Sequence, residues 1–377
     1  MNHKKIIIVG GGIIGLALAW RLLKDGARVT IVDAGASAPA ATNAAAGMLA
    51  PSFEHGSGRL ARALYAFGVR SLARWGAFAE ELERGAAMSI DYRPFGILGP
   101  AFNALFEATL KSSAERLAAR GARVEWLDAK EVRKREPGLA ETVVGALFAA
   151  DDAQVDPRLA LVALRKVVAK SGGEFIAARA RRIAHAGGAV AGIVTEDGRE
   201  IAGDAAVVAT GAFRFDPLEG RASPVFPEKG EALALDARAA PMRSVIWAPG
   251  AYLCPKAGGR LVVGATSAPE DATPEPAPSR IEDLKRAASA AAPGLAYCPE
   301  LERWAGFRPA TPDGAPVLGA DDRGPRGLFC AVGHYRNGVL LAPETAAALA
   351  PLILSGESGA EIAPFSPERF DGATPTR

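Results

Sequence analysis

Lys5-Ile6-Ile7-Ile8-Val9-Gly10-Gly11-Gly12-Ile13-Ile14-Gly15 is the stretch on which the fold turns. Residues 5–9 are a short apolar run rich in β-branched side chains, as a buried parallel strand requires. Gly10, Gly12 and Gly15 make a G-x-G-x-x-G directly after it, and Ile14, Leu18 and Leu22 then recur at helical spacing up to Gly26. A second apolar strand, Val29-Thr30-Ile31-Val32, ends on Asp33, 18 residues after Gly15. Bare glycines let the backbone turn tightly and approach a pyrophosphate, while the helix N-terminus offers unpaired N–H groups. A carboxylate at the end of the second strand accepts hydrogen bonds from ribose hydroxyls and disfavours a 2′-phosphate. A glycine-rich turn without a ligand is the bland alternative. With strand, helix and acid in register, dinucleotide binding is the better reading, although the motif alone does not separate FAD from NAD.

Working outward, helical spacing covers about 59–85, 102–121 and 158–171, with strand signals near 95–98, 189–194 and 205–209. The section 222–306 changes character: short strands at 252–255 and 260–264, a Pro-rich loop from Pro269 to Pro278, and a helix near 280–292. The end returns to the opening pattern, with a strand at 327–332, a glycine turn and a helix beyond Pro343. This order predicts an α/β fold: a discontinuous Rossmann-like domain (1–85, 145–221 and 306–370) and a second, α+β domain (86–144 and 222–305) on a mixed or antiparallel sheet.

The 377 residues exceed the usual size of a single core, in keeping with two. A net charge of +2 offers no field for nucleic acid or a membrane surface, and the arginines of Arg179–Arg182 read as an exposed strand edge. No apolar stretch is expected to approach the ~18 residues that span a bilayer, and the run after Lys4 and Lys5 is too short for a signal-peptide core. Cys254, Cys298 and Cys330 form no CxxC, and with only four histidines no metal site is indicated. A reducing cytoplasm is the expected location.

Later segments carry a resemblance. Thr42-Asn43-Ala44-Ala45-Ala46-Gly47-Met48-Leu49-Ala50-Pro51 resembles the small-residue flavin loop of the D-amino acid oxidase family of FAD-dependent oxidoreductases, most closely its glycine oxidase branch. Val207–Gly211 is similar to that family's second strand and turn near FAD, and Tyr252–Lys256 with Gly264–Ser267 to its substrate hairpin. Trp304–Gly314 and Gly333–Pro343, which contains His334-Tyr335-Arg336-Asn337-Gly338, resemble its two C-terminal signatures. The likeness runs through nearly the whole chain, in order. It implies FAD held at Gly10, Gly12, Ile13, Ile14, Gly15, Asp33, Ala34, Ala41, Thr42, Ala46, Gly47 and Met48, and at His334, Tyr335, Arg336, Asn337, Gly338, Val339 and Leu340, with Arg181 on the adenine side.

For the substrate, the resemblance assigns Arg308 to the carboxylate, supported by Arg336 and by the Tyr252 hydroxyl. An arginine fork suits a carboxylate because it binds through two parallel hydrogen bonds. Taken alone, Arg308 would be a solvated surface residue and Tyr252 a packed strand residue. His334 is expected to be structural or flavin-adjacent, since hydride removal from a neutral amine needs no strong base. The implied reaction is oxidative deamination of glycine, sarcosine or small D-amino acids with O2 reduced to H2O2, by a homotetramer that supplies iminoglycine to thiazole formation in thiamine biosynthesis. Ser267 and Gly250 depart from the family pattern and are expected to reshape the pocket. Competing readings are a D-amino acid dehydrogenase using a quinone or carrier, a flavin-bearing scaffold subunit, and an NAD-dependent dehydrogenase.

Overall fold

Strand Lys5–Val9 (β1) buries four of its five residues and runs parallel to Arg28–Asp33 (β2), pairing Ile7 with Thr30 and Val9 with Val32. Between them, Ile13–Lys24 (α1) buries Ile13, Leu16, Leu18, Trp20 and Leu22, on more sides than one helical stripe provides. The reason is its setting, since α1 packs against the Pro157–Lys170 helix and the last long helix of the chain as well as lying on the sheet. The computed structural model describes residues 4–35, 40–54, 58–213, 215 and 223–370; the expected boundary at 221 lies outside them.

The first sheet has six strands in the order Val317–Ala320, Leu328–Val332, Ala205–Val208, β1, β2, Glu174–Ala177. All its pairings are parallel except that of the Val317–Ala320 edge strand, which runs antiparallel to Leu328–Val332. Its members come from both ends and the middle of the chain. Ala180–Ala186 is an edge strand of a separate three-stranded sheet, with Arg181 and Arg182 exposed.

The second sheet has eight strands, among them Phe226–Asp236 (β3), Ala251–Pro255 (β4), Arg260–Gly264 (β5) and Glu300–Ala310 (β6), in the neighbouring order β6-β3-β5-β4. It is mixed, since Val245–Ala248 runs parallel to Ile97–Ala101 while its other pairs are antiparallel. Gly145–Ala149, expected in the first domain, pairs here with Ile97–Ala101 because its five buried residues complete this sheet. Helix Pro278–Ala291 covers one face, where Ile281 and Leu284 meet Leu233, Leu253 and Val263. The longest strands, β3 and β6, were not expected. Glu228, Lys229 and Glu231 are buried in β3, and that polar composition hides a strand from any search for apolar alternation.

Helix Ala61–Ala86 (α2) crosses Gly338–Ser355 (α3), which begins before Pro343 rather than after it. A proline inside a helix breaks the backbone ladder. Ser71 of α2 repairs it: its hydroxyl donates to the Leu340 carbonyl at 2.6 Å and accepts the Glu344 amide at 3.2 Å, and Trp75 Nε1 donates to the same carbonyl at 2.9 Å. Contrary to expectation, one helical stretch among the described residues, Tyr335–Ser355, is long and apolar enough to cross a membrane. Pro343, Glu344 and Pro351 interrupt its apolar run in sequence, and in the fold it is mostly buried against α1 and α2.

Candidate active site

One continuous cleft runs from the C-terminal ends of β1 and β2 to the inner face of the second sheet. At its first end Gly10 has a left-handed φ of +118°, and a Cβ there would drive into the Ala209 carbonyl. Gly15 does not line the cleft; it lets α1 lie directly on the Gly10 carbonyl. Asp33 is tied down by the amides of Gly11 (2.6 Å) and Gly35 (2.9 Å), with Arg165 at 3.8 Å. A carboxylate has about four acceptor directions, so capacity remains for hydroxyls of a ligand.

The residues Ala40–Met48 form the next wall. The Thr42 hydroxyl accepts the Ile13 amide at 3.3 Å, and Trp304 Nε1 donates to the Ala44 carbonyl at 3.0 Å, which moors the loop to α1 and to β6. Gly47 (φ +84°) passes against the Val155 carbonyl and Pro157 with no room for a side chain. Opposite lie Ala209–Phe213. Helices α1 and α3 both present N-termini to this cleft, and neither carries a side-chain cap. Two uncapped N-termini favour negative charge. The bare backbone, the paired N-termini and the tethered Asp33 fit a dinucleotide cofactor.

At the far end Arg308 projects from β6, with Nη2 donating to the Thr266 carbonyl at 3.1 Å and Nη1 to the Lys229 carbonyl at 3.4 Å. Its guanidinium lies over Gly230, where any Cβ would displace it. Arg336 and Tyr252 share this end, as do Ala265, Phe307 and Glu54. Burial pushes the Tyr252 hydroxyl well above the ordinary phenol range. His334 is buried with Nε2 3.1 Å from Thr345 Oγ1, and burial lowers its pKa to about 3. Tyr335 follows with φ +50°, a left-handed conformation that costs a non-glycine residue on the order of 1–3 kcal/mol.

The sequence reading missed Glu228. It stands opposite Arg308 in the β3–β6 register, buried, and its Oε1 accepts the hydroxyls of Ser267 (2.6 Å) and Tyr335 (2.8 Å). Nothing in an apolar pattern signals a buried acid on a strand. Of the residues assigned from sequence, Gly10, Gly12, Ile13, Ile14, Asp33, Ala34, Ala41, Thr42, Ala46, Gly47, Met48, Tyr252, Arg308 and His334 to Val339 line the cleft. Leu340 and Arg181 do not: the Leu340 carbonyl is turned to α2, and Arg181 is exposed beside the lining Ala180. Gly250, expected to shape the pocket, makes the turn between Val245–Ala248 and β4 at φ +79° and faces Ala287 instead.

Residues 5–352 match the family model described as DAO, FAD dependent oxidoreductase. The chain is 32% identical over 390 residues to a glycine oxidase of Geobacillus kaustophilus (strain HTA426), covering 99% of each. The crystal structure of glycine oxidase from Geobacillus kaustophilus superposes with a TM-score of 0.89 at 32% identity, over 96% of this chain and 98% of that one. Iminodiacetate oxidase from Chelativorans sp. BNC1 superposes with a TM-score of 0.87 at 26% identity, over 96% and 98%. A bifunctional protein ThiO/ThiG of Synechocystis sp. (strain ATCC 27184 / PCC 6803 / Kazusa) is 38% identical over 374 residues; these cover 97% of this chain but 54% of that protein, so the chain spans about half its length.

Proposed function

Because this chain belongs to the DAO family of FAD-dependent oxidoreductases, we propose that it oxidises small amino acids, foremost glycine and sarcosine, at the α-carbon. The observation that carries this reading is the meeting of Arg308, Arg336 and Tyr252 at one end of a cleft whose other end is a dinucleotide cradle. Glycine oxidase relatives of nearly the same length support it.

FAD, when bound, supplies the two-electron acceptor for the C–H bond. Arg308 and Arg336 bind the substrate carboxylate and so fix which way its α-carbon points. Tyr252 keeps its proton, since burial holds the hydroxyl well above its usual range, and it therefore donates a hydrogen bond to that carboxylate. His334 is a poor base for the step: burial lowers its pKa to about 3, and Thr345 engages its Nε2. The neutral amine loses two electrons and two protons, a hydride from the α-carbon and a proton from nitrogen, to give an imino acid, which water converts to an oxo acid and ammonia. Dioxygen receives the electrons and becomes hydrogen peroxide. Small D-amino acids belong to the same substrate class. The imine formed from glycine is what a thiazole-forming step in thiamine biosynthesis would consume, and a cytoplasmic location is part of the same proposal.

The test is anaerobic titration of the yellow protein with glycine, sarcosine and small D-amino acids, followed by admission of air. Bleaching by glycine or sarcosine and stoichiometric peroxide on aeration are expected. A flavin that no amine bleaches would overturn the reading; rapid bleaching without peroxide would assign the electrons to a carrier, as in a dehydrogenase.

A further inference from the structure

Glu228 sits where an anion-binding site would not ordinarily hold an acid. Its Oε1 is 3.8 Å from Arg308 Nη1 and 3.8 Å from Arg336 Nη2, while the same oxygen accepts the Ser267 and Tyr335 hydroxyls. The arginine contacts are ionic rather than hydrogen bonds at that distance. The four partners come from three different segments: β6, the strand-following turn at 265–268, and the residues leading into α3. One carboxylate therefore gathers both guanidinium groups before any substrate arrives, and two hydroxyl donors already occupy the oxygen that faces them. Such an oxygen holds its neighbours in place.

Other charges lie nearby. Lys229, next along the strand, points away to the buried group of Glu231, Asp271 and Thr273. Glu54 acts on Arg336 and Tyr252 from the cleft side. Glu228 stands 3.8 Å from both arginines, and it cancels part of the charge that would attract anions.

We propose that Glu228 is a specificity-determining residue, which positions Arg308 and Arg336 for one carboxylate and repels amino acids that carry a second. The inference rests on the functional reading above and deepens it. Its chemical contrast is between a monocarboxylate amine such as sarcosine and a dicarboxylate amine such as iminodiacetate, the compound named for one structural relative. Unit charges separated by several ångströms in a partly buried site interact strongly enough to change such a ratio on the order of tenfold.

The test compares kcat/KM for sarcosine and iminodiacetate in the wild-type holoenzyme, Glu228→Gln and Tyr335→Phe, with the dissociation constants of acetate and malonate read from flavin absorbance. Glu228→Gln should move both the substrate ratio and the acetate-to-malonate ratio about tenfold toward the dianion. Tyr335→Phe keeps the charge, so it should lower both rates with the ratios little changed. Glu228→Met replaces the amide variant if that fails to accumulate as yellow protein. Unchanged ratios in the neutral variants, or an equal shift in Tyr335→Phe, would overturn the proposal. The anion ratios need no turnover, so a wild type that oxidises no amine yet shows the malonate shift would refute the function and leave this inference standing.

Discussion

The ring of Tyr252 lies directly over Gly264, its partner across the antiparallel β4–β5 pair. A Cβ at position 264 would stand 2.6–2.7 Å from Cε2, Cζ and Oη of that ring, well inside carbon contact distance, so the ring would have to move. Gly264→Ala should therefore behave like Tyr252→Phe. Losing one hydrogen bond to a charged group is worth about 1.5–3 kcal/mol, or about 10- to 100-fold in kcat/KM for glycine, with the flavin-to-protein absorbance ratio retained. An unaltered KM in both variants would show that the hydroxyl does not reach the substrate.

Arg308→Ala should stay yellow and lose about 100-fold or more in kcat/KM, since the carboxylate then loses a charge-assisted fork. Arg308→Lys should recover little of it, because an ammonium cannot reproduce two parallel N–H donors. Steady-state kinetics with flavin quantitation checks both.

His334 provides a pH signature. Burial lowers it to about 3 in the folded protein, against 6.5 for the free side chain. The unfolded chain takes up a proton below pH 6.5 that the folded one refuses, so this contribution is complete above pH 6.5 and is lost as pH falls from there toward 3. Thermal melts between pH 4 and 7 should show a shallower decline in His334→Gln than in the wild type, and the wild-type rate should have no limb near 6.5 assignable to this imidazole.

Asp152 has the opposite sign. It is buried against Ser52, whose hydroxyl donates to Oδ1 at 2.9 Å, and burial raises its pKa from 3.8 to about 8. Its contribution is present below pH 3.8 and is lost as pH rises toward 8. Asp152→Asn should gain in melting temperature relative to the wild type between pH 5 and 8. A difference that stays constant across that range would mean the carboxyl is not buried in this way.

Gly47→Ala should cost both stability and flavin. The new methyl would collide with the Val155 carbonyl at a left-handed backbone position, straining the pairing of Met48–Leu49 with Ala153–Gln154 by on the order of 1–3 kcal/mol. Cofactor content after gel filtration and the melting temperature report the two effects separately.

The opening βαβ unit was legible because glycine turns, apolar runs and a terminal acid are local signals, and β1, α1 and β2 obey them. Arg308, Arg336 and Tyr252 were legible only through family likeness, yet they do converge on one end of the cleft. What stayed hidden was nonlocal. Glu228 gains meaning from Arg308, 80 positions away, once β3 and β6 align. The early start of α3 depends on Ser71 from α2, and no property of Pro343 itself announces that help.

The placing of Leu328–Val332 beside Ala205–Val208 has a temporal consequence. A ribosome delivers β1 and its glycines more than three hundred residues before the strand that leads into His334 and α3. The nascent chain thus exposes half a nucleotide pocket for most of its synthesis, with the other half still unmade. The complete cradle for the prosthetic group exists only after the last strand is translated, and until then the sheet carries an unpaired edge.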